Sequence, residues 1–211
     1  MKILLETNPK FFIFLTLKVF VLLFFHIILN LRERVYIPVL TTYIEDFYLK
    51  RYPDLENIFG NRRKELYKYF NSSGIKDGQG ASPAFDIKYY LENNPDLQEA
   101  FGDNYTLAYD HFMKLGKYEG RDLSPVFHLG YYINSNPDVA KIYGNNTDGI
   151  MDHFLRHGIK EGRSSSPNFI LDAYKSKNED IKNVFNDNNM EYYYHYCIFG
   201  KIEGRPCLYD N

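Results

Sequence analysis

The chain has 211 residues, with 25 Lys and Arg against 27 Asp and Glu, 20 Tyr, 17 Phe and no Trp. Five of the cations lie in residues 1–34, so the remainder carries 20 basic and 25 acidic groups and no basic run. Nucleic-acid binding needs clustered cations against phosphate, and this balance argues against it.

The first predicted element is Phe11–Leu29, 19 residues that are apolar except for Thr16, Lys18 and His26. As a helix it extends about 28 Å, close to the roughly 30 Å hydrocarbon core of a bilayer. Lys18 costs about 2.5–3.5 kcal/mol at mid-bilayer, while each Leu, Ile, Phe or Val contributes about 0.3–0.6 kcal/mol in favour. The apolar residues outweigh one lysine, whose stem also reaches toward the interface. Signal peptidase needs small residues soon after such a stretch, and the first Gly, Ser and Ala are Gly60, Ser72 and Ala81. Residues 1–35 therefore read as an uncleaved signal anchor, in preference to a cleaved signal or a buried core helix, with a linker over 36–42.

Lys2 and Lys10 precede the span and Arg32 and Arg34 follow it. With the α-amino group, this favours a cytoplasmic N-terminus and repeats that are extracellular or lumenal. Three N-glycosylation acceptors, at Asn71, Asn104 and Asn145, fit that side.

From Tyr43 onward the sequence repeats every 42 residues without insertion or deletion, giving units 43–84, 85–126, 127–168 and 169–210. A constant period of this length marks a repeat architecture. The second unit predicts three short helices. Asp86 caps a helix over 87–93, its carboxylate accepting orphan backbone N–H groups. Asn94-Pro95-Asp96 starts the next, with Asn94 as cap and Pro95 at the first helical position. Gly102 ends that helix. Asn104 or Thr106 opens a third that runs to Leu115, with Gly116 as a left-handed cap. Leu107, Ala108, His111, Phe112 and Leu115 share its apolar face. Gly120 supplies a tight turn in the connector, and Ser124-Pro125 leads into the next unit.

None of these helices is long enough to be stable alone, so each unit must bury its apolar faces against its neighbours. The expected core is Tyr89, Tyr90, Leu91, Leu97 and Phe101, with counterparts 42 residues away in either direction. The fold class is therefore all-α: a transmembrane helix followed by four three-helix repeats, as an open solenoid or a compact array. The end units deviate as caps do. The first has Tyr69 where the others have histidine and Asp77-Gly78-Gln79 where they have Glu-Gly-Arg; the last has Lys175 and Glu179 for a leucine and a proline.

His111, His153 and His195 recur at one position, as do Glu119, Glu161 and Glu203, and Arg121, Arg163 and Arg205. A metal or acid–base role is one reading. Packing is the stronger one. Each histidine lies on an apolar face, where an imidazole commonly bonds a buried carbonyl, and Tyr69 replaces it in the first unit but cannot replace a zinc ligand. The Arg and Glu are expected to form ion pairs within or between units, with Asp96 or Asp138 for example. No phosphate-binding glycine loop, HExxH, CxxC or Gly-x-Ser-x-Gly occurs, so no enzyme, cofactor or metal site is expected. Aromatic faces also stack on sugars. In the run Tyr192–Tyr196, Tyr193 and Tyr194 are the candidates for exposure and ligand contact. Cys197 and Cys207 form one bond in an oxidising compartment or remain a buried and a loose thiol.

Phe85-Asp86, Tyr89-Tyr90-Leu91, Asn94-Pro95-Asp96-Leu97, His111-Phe112, Gly116 and Glu119-Gly120-Arg121 together resemble a known tandem repeat of about forty residues. The resemblance covers 43–210. It implies a microbial surface or secreted protein of the kind found beside polysaccharide-building glycosyltransferases or cell-wall hydrolases. Such repeats often accompany an attached catalytic domain, and residues 1–211 are expected to hold none. The functional expectation is a membrane-anchored, non-catalytic binding module at a membrane or cell surface, for glycans or envelope polymers. The alternative is a protein-interaction scaffold that recruits a separate glycosyltransferase or hydrolase.

Overall fold

A computed structural model describes residues 41–210, and the expected anchor over Phe11–Leu29 lies outside them. The described residues are all-helical, with only isolated β-bridges at the junctions between repeats. None of their helices is long and apolar enough to cross a membrane.

Each repeat contributes three short helices. In the second repeat they are Ile87–Glu92, Pro95–Phe101 and Tyr105–Lys114, within a residue or so of the bounds expected from capping. The first repeat has Glu45–Arg51, Asp54–Phe59 and Arg63–Tyr69. The third has Leu129–Ser135, Pro137–Tyr143 and Thr147–His153, and the fourth Leu171–Lys177, Glu179–Phe185 and Asn189–His195. A π-helical turn prolongs the third helix of the first, third and fourth repeats, as at Phe154–Gly158.

Two expected caps form. Asp86 Oδ1 accepts the Tyr89 N–H at 3.0 Å and Asn104 Oδ1 the Leu107 N–H at 3.1 Å. Asn94 does not cap. Its buried Nδ2 instead donates to the carbonyls of Tyr90 at 2.6 Å and Asp122 at 3.3 Å, tying the first helix to the connector. Proline is not the cause, because Asn178, which precedes Glu179, turns inward in the same way, its Nδ2 donating to the carbonyls of Tyr174 at 2.8 Å and Pro206 at 2.9 Å.

Gly102 ends the second helix at φ 55°, and its counterpart in the fourth repeat, Asn186, holds φ 49°. Asn tolerates this left-handed region better than other side chains. Gly116 is not left-handed, contrary to expectation. It is small because the Tyr90 ring ends against it: a Cβ there would stand 2.9 Å from Tyr90 Cζ and overlap the hydroxyl oxygen. Gly158 and Gly200 meet Tyr132 and Tyr174 in the same way.

Those tyrosines, with Tyr48, are the fully buried centres of the four repeats. Around them the rings pack closely, for example Phe85 stacked on Phe112 at 3.8 Å between centroids. The third-helix face is narrower than predicted. Ala108 and Phe112 are buried, but Leu107 and Leu115 are 46% and 56% exposed. Leu115 leaves the face because the helix ends at Lys114 and the chain turns into a 3₁₀ segment, Gly116–Tyr118.

Successive repeats join through the connectors. The Ser124 hydroxyl donates to the Pro83 carbonyl at 2.5 Å and Ser165 to Val126 at 2.7 Å. Lys117 reaches Asp148 of the next repeat at 2.8 Å, and the Tyr193 hydroxyl donates to the Arg163 carbonyl at 2.9 Å. The array does not stay open. Phe47 of the first repeat meets Tyr194 of the fourth edge-on at 5.0 Å, and Lys50 bonds Glu191 at 2.5 Å. Lys201 lies 5.1 Å from the centroid of the Tyr89 ring in the second repeat. The fourth repeat thus folds back on the first two, so the array is compact and not an open solenoid.

Candidate functional site

The three recurring residue types occur together in the second, third and fourth repeats. The third helix presents His111 so that Nδ1 lies 2.8 Å from the Tyr90 hydroxyl. His153 meets Tyr132 and His195 meets Tyr174 at the same 2.8 Å. The partner is therefore a phenol from the first helix, not the carbonyl expected from sequence. A constant Tyr-to-His spacing of 21 residues was the available signal.

Burial pushes the Tyr90, Tyr132 and Tyr174 hydroxyls well above the usual phenol range, so each keeps its proton. Burial also lowers His153 and His195, which favours the neutral ring. A protonated phenol facing a neutral imidazole makes a neutral hydrogen bond, formed at Nδ1 of His153 and His195. The arrangement satisfies a buried hydroxyl.

The Glu-Gly-Arg turn closes the other side. Arg121 holds Asp96 through two bonds of 2.8 Å, Glu119 at 2.6 Å and the side-chain Oδ1 of Asn94 at 3.1 Å. Arg163 repeats this with Asp138 at 2.8 Å and Glu161 at 2.5 Å, and Arg205 with Asp180 at 2.8 Å and with Glu203. Every one of these pairs lies within its own repeat. The clasp therefore fixes the connector to the start of the second helix rather than holding neighbours in register. Hydrogen bonds from Arg121, Arg163 and Arg205 hold Asp96, Asp138 and Asp180 below the ordinary carboxylate range. The first repeat is wired differently: the Tyr48 hydroxyl bonds Gln79, which stands where the others have arginine, and Tyr69 packs on Phe59 at 5.3 Å.

Tyr193 and Tyr194 are not exposed, contrary to expectation: they are 1% and 6% exposed. The third helix of the fourth repeat is covered on two sides. Tyr193 packs on Phe154 of the third repeat at 5.9 Å, and Tyr194 on Phe47 of the first. A one-repeat pattern cannot reveal the second cover. Neither ring is free to stack on a sugar.

Cys197 and Cys207 are unpaired. Cys197 is buried, which pushes its thiol up, and the Cys207 thiol lies 3.1 Å from the Tyr196 hydroxyl. Asn71, Asn104 and Asn145 are all exposed. Among the described residues, no group of three or more His, Cys, Asp or Glu has the geometry to hold a metal ion.

One cleft lies where the first, second and fourth repeats meet. It measures about 170 Å³ and is lined by Arg51, Asp86, Lys88, Glu92, Cys197 and Lys201 among others. Sequence reasoning missed it, since its residues belong to three repeats and to different repeat positions.

Comparison with protein-family models, curated proteins and solved structures gives no match for this chain.

Proposed function

We propose that the repeats form a rigid, non-catalytic scaffold displayed at a membrane surface, outside the cytoplasm, that docks a partner protein. The observation that carries this is one surface position. Ile58, Ile142 and Val184 occupy equivalent places on the second helices and are 57%, 72% and 69% exposed, with exposed Ala100 at the same place in the second repeat. Large apolar side chains turned to solvent at a repeating position are the kind of surface a partner covers. The non-catalytic part of the proposal rests on the clasps, which tie each recurring His, Glu and Arg to a structural partner. The membrane part rests on the apolar run Phe11–Leu29, and the exposed acceptors Asn71, Asn104 and Asn145 fit an extracytoplasmic side. A partner glycosyltransferase or hydrolase is the class that the repeat resemblance implies.

Binding of a glycan or envelope polymer is the second reading. It loses its stacking platform with the burial of Tyr193 and Tyr194, and retains the exposed Tyr118 as an aromatic contact. The test is co-purification of the full chain from membranes, with and without Ile142→Glu and Val184→Glu. Loss of one defined enzyme partner with an unchanged melting temperature supports the scaffold. Retention of that partner, or polymer binding that Tyr118→Ala removes, overturns it. Protease protection of a C-terminal tag in intact membranes tests the topology separately.

A further inference from the structure

The cleft between the first, second and fourth repeats is built from charges that the repeat pattern does not require. Arg51 is its deepest cation, with a side chain 18% exposed, and Asn93, Ser135 and Lys177 stand at its position elsewhere. Its Nη1 bonds Asp86, whose other oxygen accepts the Tyr89 N–H. Asp86 is thus fully engaged by the protein. Arg51 is not, because Nε and Nη2 make no bond to the described residues. Neither is sealed away from solvent: among the described residues the one fully enclosed, unpaired side-chain polar atom is the Tyr43 hydroxyl. The remaining guanidinium donors therefore keep contact with solvent, and Arg51 lines the cleft.

Lys88 and Lys201 also line the cleft. The Lys201 ammonium lies 5.1 Å from the ring centroid of Tyr89, a residue of the same lining. The ammonium of the exposed Lys88 lies 5.7 Å from that of Tyr105, just outside the cleft, within a side-chain rotation of it. With Arg51 and Asp86 neutralising each other, Lys88 and Lys201 outweigh the single remaining carboxylate, Glu92. The volume of about 170 Å³ is smaller than the roughly 300–1,000 Å³ of drug-sized sites, so the occupant is small.

We infer that this cleft binds a small oxyanion, a carboxylate or a phosphate group, between the free donors of Arg51 and the ammonium groups of Lys88 and Lys201. A guanidinium with donors to spare suits the planar, paired oxygens of such a group, and lysines supply charge without demanding geometry. The inference does not depend on the scaffold reading.

The test is thermal melting of the full chain in detergent at constant ionic strength, titrated with inorganic phosphate, glucuronate or neutral glucose. A ligand that binds only the folded state raises the melting temperature with its concentration. Saturable stabilisation by phosphate or by glucuronate, but not by glucose, is expected, and the stronger of the two names the source of the oxyanion. Both lysines are exposed, so Lys88→Gln with Lys201→Gln should leave the fold intact and weaken binding by roughly tenfold or more, the scale of charge-assisted hydrogen bonds. Lys114→Gln, on the third helix of the second repeat away from the cleft, should change nothing. The absence of saturable stabilisation by either anion, or an equal response in the Lys88/Lys201 variant, overturns the inference.

Discussion

Replacing Gly116 by alanine tests the contact that centres each repeat. The new Cβ would lie 2.9 Å from Tyr90 Cζ and overlap the hydroxyl oxygen, and it would press on His111 Nδ1 from 3.2 Å. Tyr90 is fully buried, so the ring has no free space to enter. Overpacking of this kind costs about 1–3 kcal/mol. Alanine also restrains the unfolded chain, which returns about 0.4–1 kcal/mol. The clash wins, and a net loss of roughly 1–2 kcal/mol lowers the melting temperature by about 2–8 °C for a domain of this size. Tyr90→Phe alone removes the hydroxyl and its bond to His111, at about 1 kcal/mol. Combined with Gly116→Ala it also removes the worst overlap, so the double variant should be more stable than the sum of the two losses by about 0.5 kcal/mol or more. Thermal and urea denaturation of the four proteins measure this. Strict additivity, or a Gly116→Ala protein as stable as the parent, would refute the close-approach account of this glycine.

Two further outcomes follow from the charged groups. Burial lowers the affinity of His153 and His195 for a proton in the folded state. Below the ordinary histidine range, near pH 6.5, the unfolded chain binds more protons, so stability is complete above that pH and declines as pH falls from about 7 to 5. His153→Gln with His195→Gln should flatten that slope in a melting series, and an unchanged slope would count against burial as the cause. A separate loss sets in at lower pH, below the usual aspartate range, where Asp96, Asp138 and Asp180 are protonated and release their arginines. The other outcome concerns Lys117, which is 9% exposed along its side chain and sits where the first and third repeats have isoleucine. Asp148→Ala strands that ammonium and should cost about 1–2 kcal/mol, kept to the low end because Asp148 itself is largely exposed. Lys117→Ile should be neutral or stabilising and should abolish the effect of Asp148→Ala. A cost for Asp148→Ala that persists in the Lys117→Ile background would show that the pair is not its origin.

The sequence by itself determined the local structure of each repeat. Asp86 and Asn104 cap, Pro95 starts a helix, and Gly102 and Gly120 turn the chain, because these depend on a few neighbouring backbone groups. The 42-residue period likewise marked Tyr48, Tyr90 and Tyr132 as core, since a buried position recurs with the unit that buries it. Non-local groups were decided only by tertiary structure. Asn94 turned inward because two carbonyls, one of them 28 residues on, needed its amide, and Gly116 is small because of a hydroxyl 26 residues earlier in the chain. Tyr193 and Tyr194 were legible as aromatic but not as buried, because their second cover is Phe47, almost the whole array away. The cleft at Arg51 has the same origin. A repeat pattern describes contacts between adjacent units, and neither the return of the fourth repeat nor the charges it gathers is a contact of that kind.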